Sequence, residues 1–202
     1  MDVFEVINTT RAMRRLKPEP VPDELIWKVV EAATRAPSGG NRQPWEFIVI
    51  RDQATKDKIA AWYLEAWNNT YGSVRDTVAA DASGARMYSS ADHLANHLAE
   101  VPVLIIATVR SGDVGTSPSG SYIYPAVQNL MLAARALGLG TTLTTLHRRH
   151  EADVKALLAI PDGIETMALI PLGWPKGNFG AGARRPVEEV VYWEQWGETK
   201  ER

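Results

Sequence analysis

The chain has 202 residues, of which 45% are hydrophobic and 23% charged, and its formal net charge is −2 at pH 7. This composition is typical of a globular protein with one sizeable core, and it favours a single domain. The small net charge indicates neither a nucleic-acid nor a membrane-surface partner, and the lack of cysteine excludes disulfides and thiolate nucleophiles. Because no apolar run approaches the length of a membrane span, we expect a cytoplasmic enzyme or binding protein.

The predicted elements alternate between helices and strands along the chain. Apolar spacing predicts a short helix near residues 3–7 and a longer one over 25–33, whose start carries two acids. The stretch 68–85 is rich in small and polar residues and predicts a surface excursion that acts as a lid. Further helices are predicted over 56–67, 91–101, 125–138 (with Pro125 in its first turn) and 151–160, and strands over 45–51, 101–109 and 166–173.

The strand over 101–109, "VPVLIIATV", is apolar on both faces and is therefore expected to be central in its sheet. Strands that alternate with covering helices favour an α+β or α/β sandwich. The tail over 184–196 alternates apolar residues and carries two tryptophans. Such a tail needs another surface to pack on, and a second copy of the chain is the simplest candidate.

A glycine-rich turn, "PSGGN" at 37–41, joins a predicted helix to the first strand. Pro37 ends the helix, and the two glycines permit positive φ and a close approach by another group. A helix cap explains the glycines without a ligand, whereas the amide groups and the indole of the following "NRQPW" suggest that a flat ligand is read by hydrogen bonds. Both interpretations stay open at this point.

Arginines cluster in "TTRAMRRLKP", where Arg11, Arg14 and Arg15 predict a local anion site. A solvated basic turn is the alternative. Arg184, in the distant "GNFGAGARRP", is a candidate for the same phosphate. The stretch "LGLGTTLTTL" at 137–146 suits contact with an aromatic ring, or else forms a Thr-rich strand.

No group of side chains in the sequence predicts catalysis without a bound cofactor. His93 and His97 have i, i+4 spacing, but Leu94 stands where a zinc-protease helix carries its glutamate, so we predict no metal site. The sequence contains no P-loop, no GxGxxG motif and no recognisable Ser-His-Asp arrangement. If the protein is an enzyme, a bound cofactor carries the chemistry, and no catalytic side chain is predicted.

Five segments occur in the order found in the nitroreductase family of FMN-dependent oxidoreductases, which the chain resembles over nearly its whole length. The most specific parts of the resemblance are the A-P-S-G-G-N-x-Q-P-W block and the C-terminal R-x-P. The segments are "TTRAMRRLKPEPVPDEL", "RAPSGGNRQPWEFIVI", "SYIYPAVQNLMLAARALGLGTTLTTL", "IPLGWP" and "RRPVEEVV".

The resemblance implies an α+β fold with a mostly antiparallel central sheet flanked by helices, in one domain over 1–202. It also implies a homodimer with swapped terminal segments and FMN pockets at the subunit interface. Residues 68–100 would form a lid and substrate pocket, and 184–202 a C-terminal arm. The implied reaction is ping-pong: NADH or NADPH delivers hydride to N5 of FMN, and a nitroaromatic or quinone acceptor then replaces the nicotinamide.

Site residues follow from the resemblance by matching position. The phosphate and ribityl chain would be held by the first arginine segment and the distant arginine, and the ring would lie between the glycine-rich turn and the Thr-rich stretch. The implied FMN contacts are Arg11, Ala12, Met13, Arg14, Arg15, Pro37, Ser38, Gly39, Asn41, Leu143, Thr144, Thr145 and Arg184, with Ile123 and Tyr124 as substrate-pocket walls.

The sequence departs from the family pattern in its first segment. Thr10, Arg11 and Ala12 stand where many members have Arg-Arg-Ser, so Arg15 is expected to compensate for a missing contact. Ala12 also argues against the flavin-destroying branch, which carries an aspartate there. Three alternatives stay open: a specialised reductive dehalogenase or enone reductase, a flavin-binding protein without turnover, and a cofactor-free dimer.

Overall fold

The computed structural model describes residues 1–74, 77, 81–113 and 120–200. Its centre is a four-stranded sheet with the order β1-β2-β4-β3, in which every neighbouring pair of described strands is antiparallel. The strands are β1 (Trp45–Ile50), β2 (Val103–Arg110), β3 (Gly140–Thr141) and β4 (Ile164–Gly173). The predicted central position of β2 is confirmed.

Six helices of the described chain cover this sheet. Two short 3₁₀ turns lie at segments singled out in the sequence: Gly39–Asn41 within the glycine-rich turn, and Leu146–His150 at the end of the Thr-rich stretch. The helices are α1 (Val3–Thr9), α2 (Asp23–Thr34), α3 (Gln53–Tyr71), α4 (Ala82–His97), α5 (Gly120–Ala136) and α6 (Glu151–Leu157).

The alternation of side chains along β2 divides the core between the two faces of the sheet. Val103 and Ile105 pack into a cluster that includes residues of α2 and α5, which we call the α2/α5 face. Leu104 and Ile106 pack into a second cluster with residues of α3 and α4, the α3/α4 face. Both faces are covered by apolar residues, which explains why β2 is apolar from Val103 to Ala107. The predicted α+β fold with a mostly antiparallel sheet is confirmed.

An extended segment over 11–17 crosses the end of the sheet beside β3 and β4. It is fixed by its backbone, since the Met13 amide donates to the Thr141 carbonyl at 2.8 Å and the Lys17 amide to the Trp174 carbonyl at 2.8 Å. Gly140 and Gly173 face each other in register under this crossing. A Cβ atom on Gly140 would lie 2.8 Å from the Cβ of Met13, so the crossing requires a residue without a side chain there.

The described residues at both ends of the predicted excursion over 68–85 are helical, so the bounds of the prediction are wrong. Helix α3 continues to Tyr71, and α4 already begins at Ala82. Asp81 caps α4 by accepting hydrogen bonds from two amides of its first turn, at 2.7 and 2.8 Å. Residues 75, 76 and 78–80 lie outside the described chain.

The helix predicted to begin near Pro125 extends further toward the N-terminus, to Gly120. Pro125 therefore lies inside α5 and not in its first turn.

The predicted C-terminal arm, 184–202, is exposed at every residue that the structure describes, and so are residues 181–183. Within it the rings of Tyr192 and Trp196 lie 4.8 Å apart, and Trp196 is 90% exposed. Helix α1 likewise exposes Phe4. No helix in the described residues is both long enough and apolar enough to cross a membrane.

Candidate functional site

Two cavities adjoin on the α3/α4 side of the molecule, and Arg14 lines both. The first, which we call the cationic cavity, has a volume of about 340 Å³. No carboxylate is among the described residues that line it, so its donors suit a dianionic phosphate. Its lining residues are Arg11, Ala12, Met13, Arg14, Arg15, Ser90, Lys176, Gly177 and Asn178.

Three separate parts of the chain build the cationic cavity. The extended segment over 11–17 supplies the arginines, α4 supplies Ser90, and the turn after β4 supplies Lys176. The first and last of these segments are tied together, since the Lys176 amide donates to the Arg15 carbonyl at 2.9 Å. Sequence reasoning missed Lys176 and Ser90, although a lysine in the turn "PKGN" directly after a predicted strand was a readable signal.

The second cavity, which we call the aromatic cavity, has a volume of about 330 Å³. It is lined by Tyr63, Trp67 and Tyr71 of α3 and by Met87 and Tyr88 of α4. The Trp67 ring centroid lies 4.7 Å from that of Tyr71 and 5.4 Å from that of Tyr88, distances at which aromatic rings attract one another. The cavity therefore offers aromatic surface to a ligand.

The remaining wall of the aromatic cavity is formed by residues 142–146. Thr144 is pinned to the sheet, because it exchanges two backbone hydrogen bonds with Leu169, at 3.0 and 2.9 Å. Within the described chain, the amides of Leu143 and Thr145 donate no backbone hydrogen bond, and both residues are exposed. Strand β3 ends at Thr141, so this stretch is a wall with free backbone donors and not the Thr-rich strand of the alternative interpretation.

Tyr63 and Arg14 meet where the two cavities join. The Tyr63 hydroxyl and the Thr144 Oγ1 share a hydrogen bond of 3.0 Å. Burial raises the pKa of Tyr63, although the Thr144 hydrogen bond and the Arg14 charge act in the opposite direction. Burial also lowers the pKa of Arg14, against the smaller effect of Tyr63. A neutral phenol and a partly desolvated guanidinium are therefore available to a ligand that spans the junction.

A buried histidine lies directly behind the wall of the aromatic cavity. His147 is 1% exposed, and neither ring nitrogen has a hydrogen-bond partner within the described chain. Burial lowers the pKa of His147 to about 4, with Glu151 acting in the opposite direction. The imidazole is neutral at pH 7 and belongs to the packing of the wall. No group of three or more metal-ligating side chains occurs among the residues described.

The glycine-rich turn lies away from both cavities. A Cβ atom on Gly39 would stand 2.9 Å from the hydroxyl oxygen of Tyr122, and Gly40 has a φ of 60°. The Ser38 Oγ accepts a hydrogen bond from the Gln43 amide at 3.0 Å, which closes the turn. The contact with Tyr122 accounts for Gly39, and the positive φ accounts for Gly40. Of the residues predicted to contact FMN, Pro37, Ser38, Gly39 and Asn41 line neither cavity.

The separation between this turn and the Thr-rich wall follows from the two faces of the sheet. Ala36 and Tyr122, which flank the turn, belong to the α2/α5 core, whereas Tyr63 belongs to the α3/α4 core. A single copy of the chain therefore does not enclose a ring between residues 37–41 and 143–145.

Three further predicted residues stand outside the cavities. Ile123 has no exposed surface and packs in the α2/α5 core, so the prediction that it forms a pocket wall is corrected. Tyr124 is 37% exposed, and its hydroxyl donates to the Met167 carbonyl at 3.3 Å. The Arg184 guanidinium donates to the Ala183 carbonyl at 2.9 Å and does not line the cationic cavity.

Comparison with known proteins places the chain in a family. The family model described as "Nitroreductase family" matches residues 7–174. The chain belongs to the nitroreductase family. A relative from Methanothermobacter thermautotrophicus is 30% identical over 89% of this chain and 81% of its own length, and its name assigns it provisionally to the NADH dehydrogenases/NAD(P)H nitroreductases.

Deiodinases are also similar to this nitroreductase-family chain. Iodotyrosine deiodinase of Danio rerio is 27% identical over 87% of this chain and 60% of its own length. A crystal structure of oxidised iodotyrosine deiodinase bound to FMN and 3-iodo-L-tyrosine has a TM-score of 0.76, with 23% identity over 96% of this chain and 99% of that one. This structural likeness establishes the shared fold.

Proposed function

We propose that this protein is an FMN-dependent oxidoreductase that takes electrons from NADH or NADPH and passes them to a nitroaromatic or quinone-type acceptor. The observation that carries the proposal is the pair of adjoining cavities that share Arg14, one cationic and one aromatic. FMN has the same two parts, a phosphate and a flat ring. When bound, FMN supplies the two-electron chemistry, and the protein supplies binding, orientation and electrostatics.

The residues of the chain have distinct roles in this proposal. Arg11, Arg14, Arg15 and Lys176 hold the phosphate through charge-assisted hydrogen bonds. The free amides of the 143–145 wall donate to the edge of the ring, where they stabilise negative charge that develops on reduction. The aromatic side chains of α3 and α4 hold a flat nucleotide or acceptor against the ring by stacking.

We further propose that two copies of the chain complete each site. The turn over 37–41 lies on the other face of the sheet from the cavities, so it reaches a ring only in the cavity of a second copy. The exposed arm over 181–200 requires a similar partner, and its docking would carry Arg184 to a phosphate. Tyr124, which is exposed on α5, is positioned to join the same interface.

The first test is the visible absorption spectrum of the purified protein with FMN added, followed by anaerobic addition of NADH or NADPH. We expect bound flavin whose absorption bleaches with at least one of the two nucleotides. A protein that binds flavin but stays yellow with both nucleotides would instead be a flavin-binding protein without turnover. A protein that takes up no FMN would overturn the cofactor assignment.

A reductive dehalogenase is the second candidate, and the similarity to iodotyrosine deiodinases favours it. The aromatic cavity would accept a halogenated phenol as readily as a nitroaromatic, because both are flat rings with a polar substituent. The reduced protein should be mixed with a nitroaromatic, a quinone and 3-iodotyrosine in separate experiments. Faster reoxidation by the first two supports the proposed function, and faster reoxidation by 3-iodotyrosine supports the second candidate.

A further inference from the structure

Two stacked histidines lie directly behind the cationic cavity. His93 and His97 are one turn apart on α4, and their ring centroids are 4.2 Å apart at an angle of 28°. Ser90, one turn before His93 on the same helix, lines the cavity itself. His93 does not line the cavity but contacts a residue that does, because its Nδ1 lies 3.0 Å from the Nη1 of Arg15.

The partners of the two imidazoles fix where their protons lie. A guanidinium has only donors, so the Nδ1 of His93 must accept the hydrogen bond from Arg15, and its proton must be on Nε2. The Nδ1 of His97 lies 2.7 Å from the Oε1 of Glu100, a carboxylate that accepts, so this nitrogen carries a proton. The contact between His93 and Arg15 therefore exists only while His93 is neutral.

The charged groups around His93 favour that neutral form. Burial lowers the pKa of His93, and the charges of Arg15, His97 and Lys176 lower it further, while Glu100 alone acts in the opposite direction. These groups come from the extended segment, from α4 and its end, and from the turn after β4. A proton added to His93 would face a cation on two sides.

We propose that His93 is a positioning residue for Arg15, and that only its neutral form holds the Arg15 guanidinium in the cationic cavity. This inference rests on the proposed function, in which the cavity takes the phosphate of FMN. Protonation of His93 removes the acceptor and adds a charge beside Arg15, so the guanidinium turns out to solvent. Because His93 stands behind Arg15, its own charge reaches the phosphate more weakly than the lost arginine did.

Thermodynamic linkage predicts the direction in which FMN binding shifts the pKa of His93. If FMN binds more tightly when His93 is neutral, then bound FMN must lower the pKa of His93 by the reciprocal amount. Simple attraction between the phosphate and an imidazolium would raise it instead. The experiment is an NMR titration of the His93 ring signals in the full-length protein, with and without saturating FMN. A lower pKa with FMN supports the proposal, and an unchanged or higher one overturns it.

FMN affinity provides the second readout. The dissociation constant should be measured between pH 8 and pH 5 for the wild type, His93→Asn and His93→Ala. The side-chain amide of the first variant offers an oxygen acceptor that does not titrate, so we expect wild-type affinity at pH 8 and a loss at low pH about tenfold smaller than in the wild type. His93→Ala should bind about tenfold more weakly at pH 8, with the same flattened profile.

The controls separate His93 from other titrating groups. The phosphate of FMN itself titrates at about pH 6, but it does so equally in all variants. His150→Asn removes an imidazole that lines a different groove, and it should keep the wild-type profile. If His93→Asn shows the wild-type pH profile while FMN still binds, the inference fails and the proposed function stands. If no variant binds FMN at any pH, the proposed function fails, and the inference with it.

Discussion

The cationic and aromatic cavities share one residue but are held in place in different ways. The cationic cavity is built on a segment whose backbone is hydrogen-bonded to β3 and to the turn after β4. The aromatic cavity is walled on one side by side chains from the second half of α3 and from α4. A cavity anchored by the sheet suits an invariant group such as a phosphate, and a cavity lined by helix side chains suits ligands that vary.

Removing the shared residue should have the largest effect. We expect Arg14→Ala to weaken FMN binding by about a hundredfold, because a partly buried charged donor is lost from both cavities at once. Fluorescence quenching of free FMN on titration with protein measures this. Arg149→Ala, in a separate surface groove, is the matched control and should bind FMN as the wild type does. Equal affinity of the two variants would refute the placement of FMN across these cavities.

Acid should destabilise the folded protein through His147, behind the wall of the aromatic cavity. His147 has its pKa lowered to about 4, below the value near 6.5 expected in the unfolded chain. The unfolded state therefore binds a proton first, and stability falls as the pH drops from 6.5 toward 4. We expect His147 to contribute a loss of about 2 kcal/mol between pH 7 and pH 4.5, measured by urea unfolding.

His147→Leu isolates this contribution, because leucine fills the buried site without a titrating group. Its unfolding free energy should fall less steeply with acid than that of the wild type. His150→Gln removes a neighbouring imidazole and should keep the steeper slope. A slope in His147→Leu as steep as in the wild type would show that other groups cause the acid sensitivity.

One variant in each cavity should show that the two cavities contribute to the binding of different ligands. Lys176→Ala should weaken FMN binding about tenfold and leave riboflavin binding unchanged, because riboflavin has no phosphate. Tyr71→Ala should leave FMN binding unchanged and raise the KM for a nitroaromatic or quinone several-fold, through lost stacking. Steady-state kinetics and binding titrations on both variants provide the comparison. A loss of FMN and riboflavin binding in Tyr71→Ala would mean that this ring contacts the flavin and not the acceptor.

A mixed dimer should show which copy supplies the glycine-rich turn. Arg14→Ala and Gly39→Val chains carrying different tags can be coexpressed and the mixed species purified. If each site combines Arg14 of one copy with residues 37–41 of the other, one site is intact, and we expect about half of the wild-type FMN content. If both segments act within one copy, both sites are damaged and the FMN content falls close to zero. Homodimers of each variant are the reference.

The sequence predicted the helices and strands better than the contacts between them. Strand β2 was predicted central because apolar residues cover both of its faces, and the bounds of α3 and α4 were missed because the polar residues between them resemble a loop. The arginine segment was recognised from local charge. Lys176 was not, because its approach to Arg15 depends on the crossing at the end of the sheet, which no local pattern encodes.

The lack of a local signal for long-range contacts also explains the errors within the proposed site. Ile123 sits between two tyrosines in a segment that the family resemblance assigns to the pocket, yet helical periodicity turns its side chain into the core. The glycines at 39 and 40 were compatible with a turn and with a ligand. Only the position of Tyr122, more than eighty residues later in the chain, shows that a side chain of the protein already occupies the space beside Gly39.

Gly140 and Gly173 lie beneath the extended segment that carries the arginines, and they touch neither cavity. Even a methyl group on Gly140 would press against Met13, the neighbour of Arg14, and one on Gly173 would meet Pro102 at 2.9 Å. A library of random variants sorted by the yellow colour of its colonies should therefore return colourless clones at these two glycines as well as at the arginines. The affinity of the protein for an anion would then be encoded partly in residues that have no side chain at all.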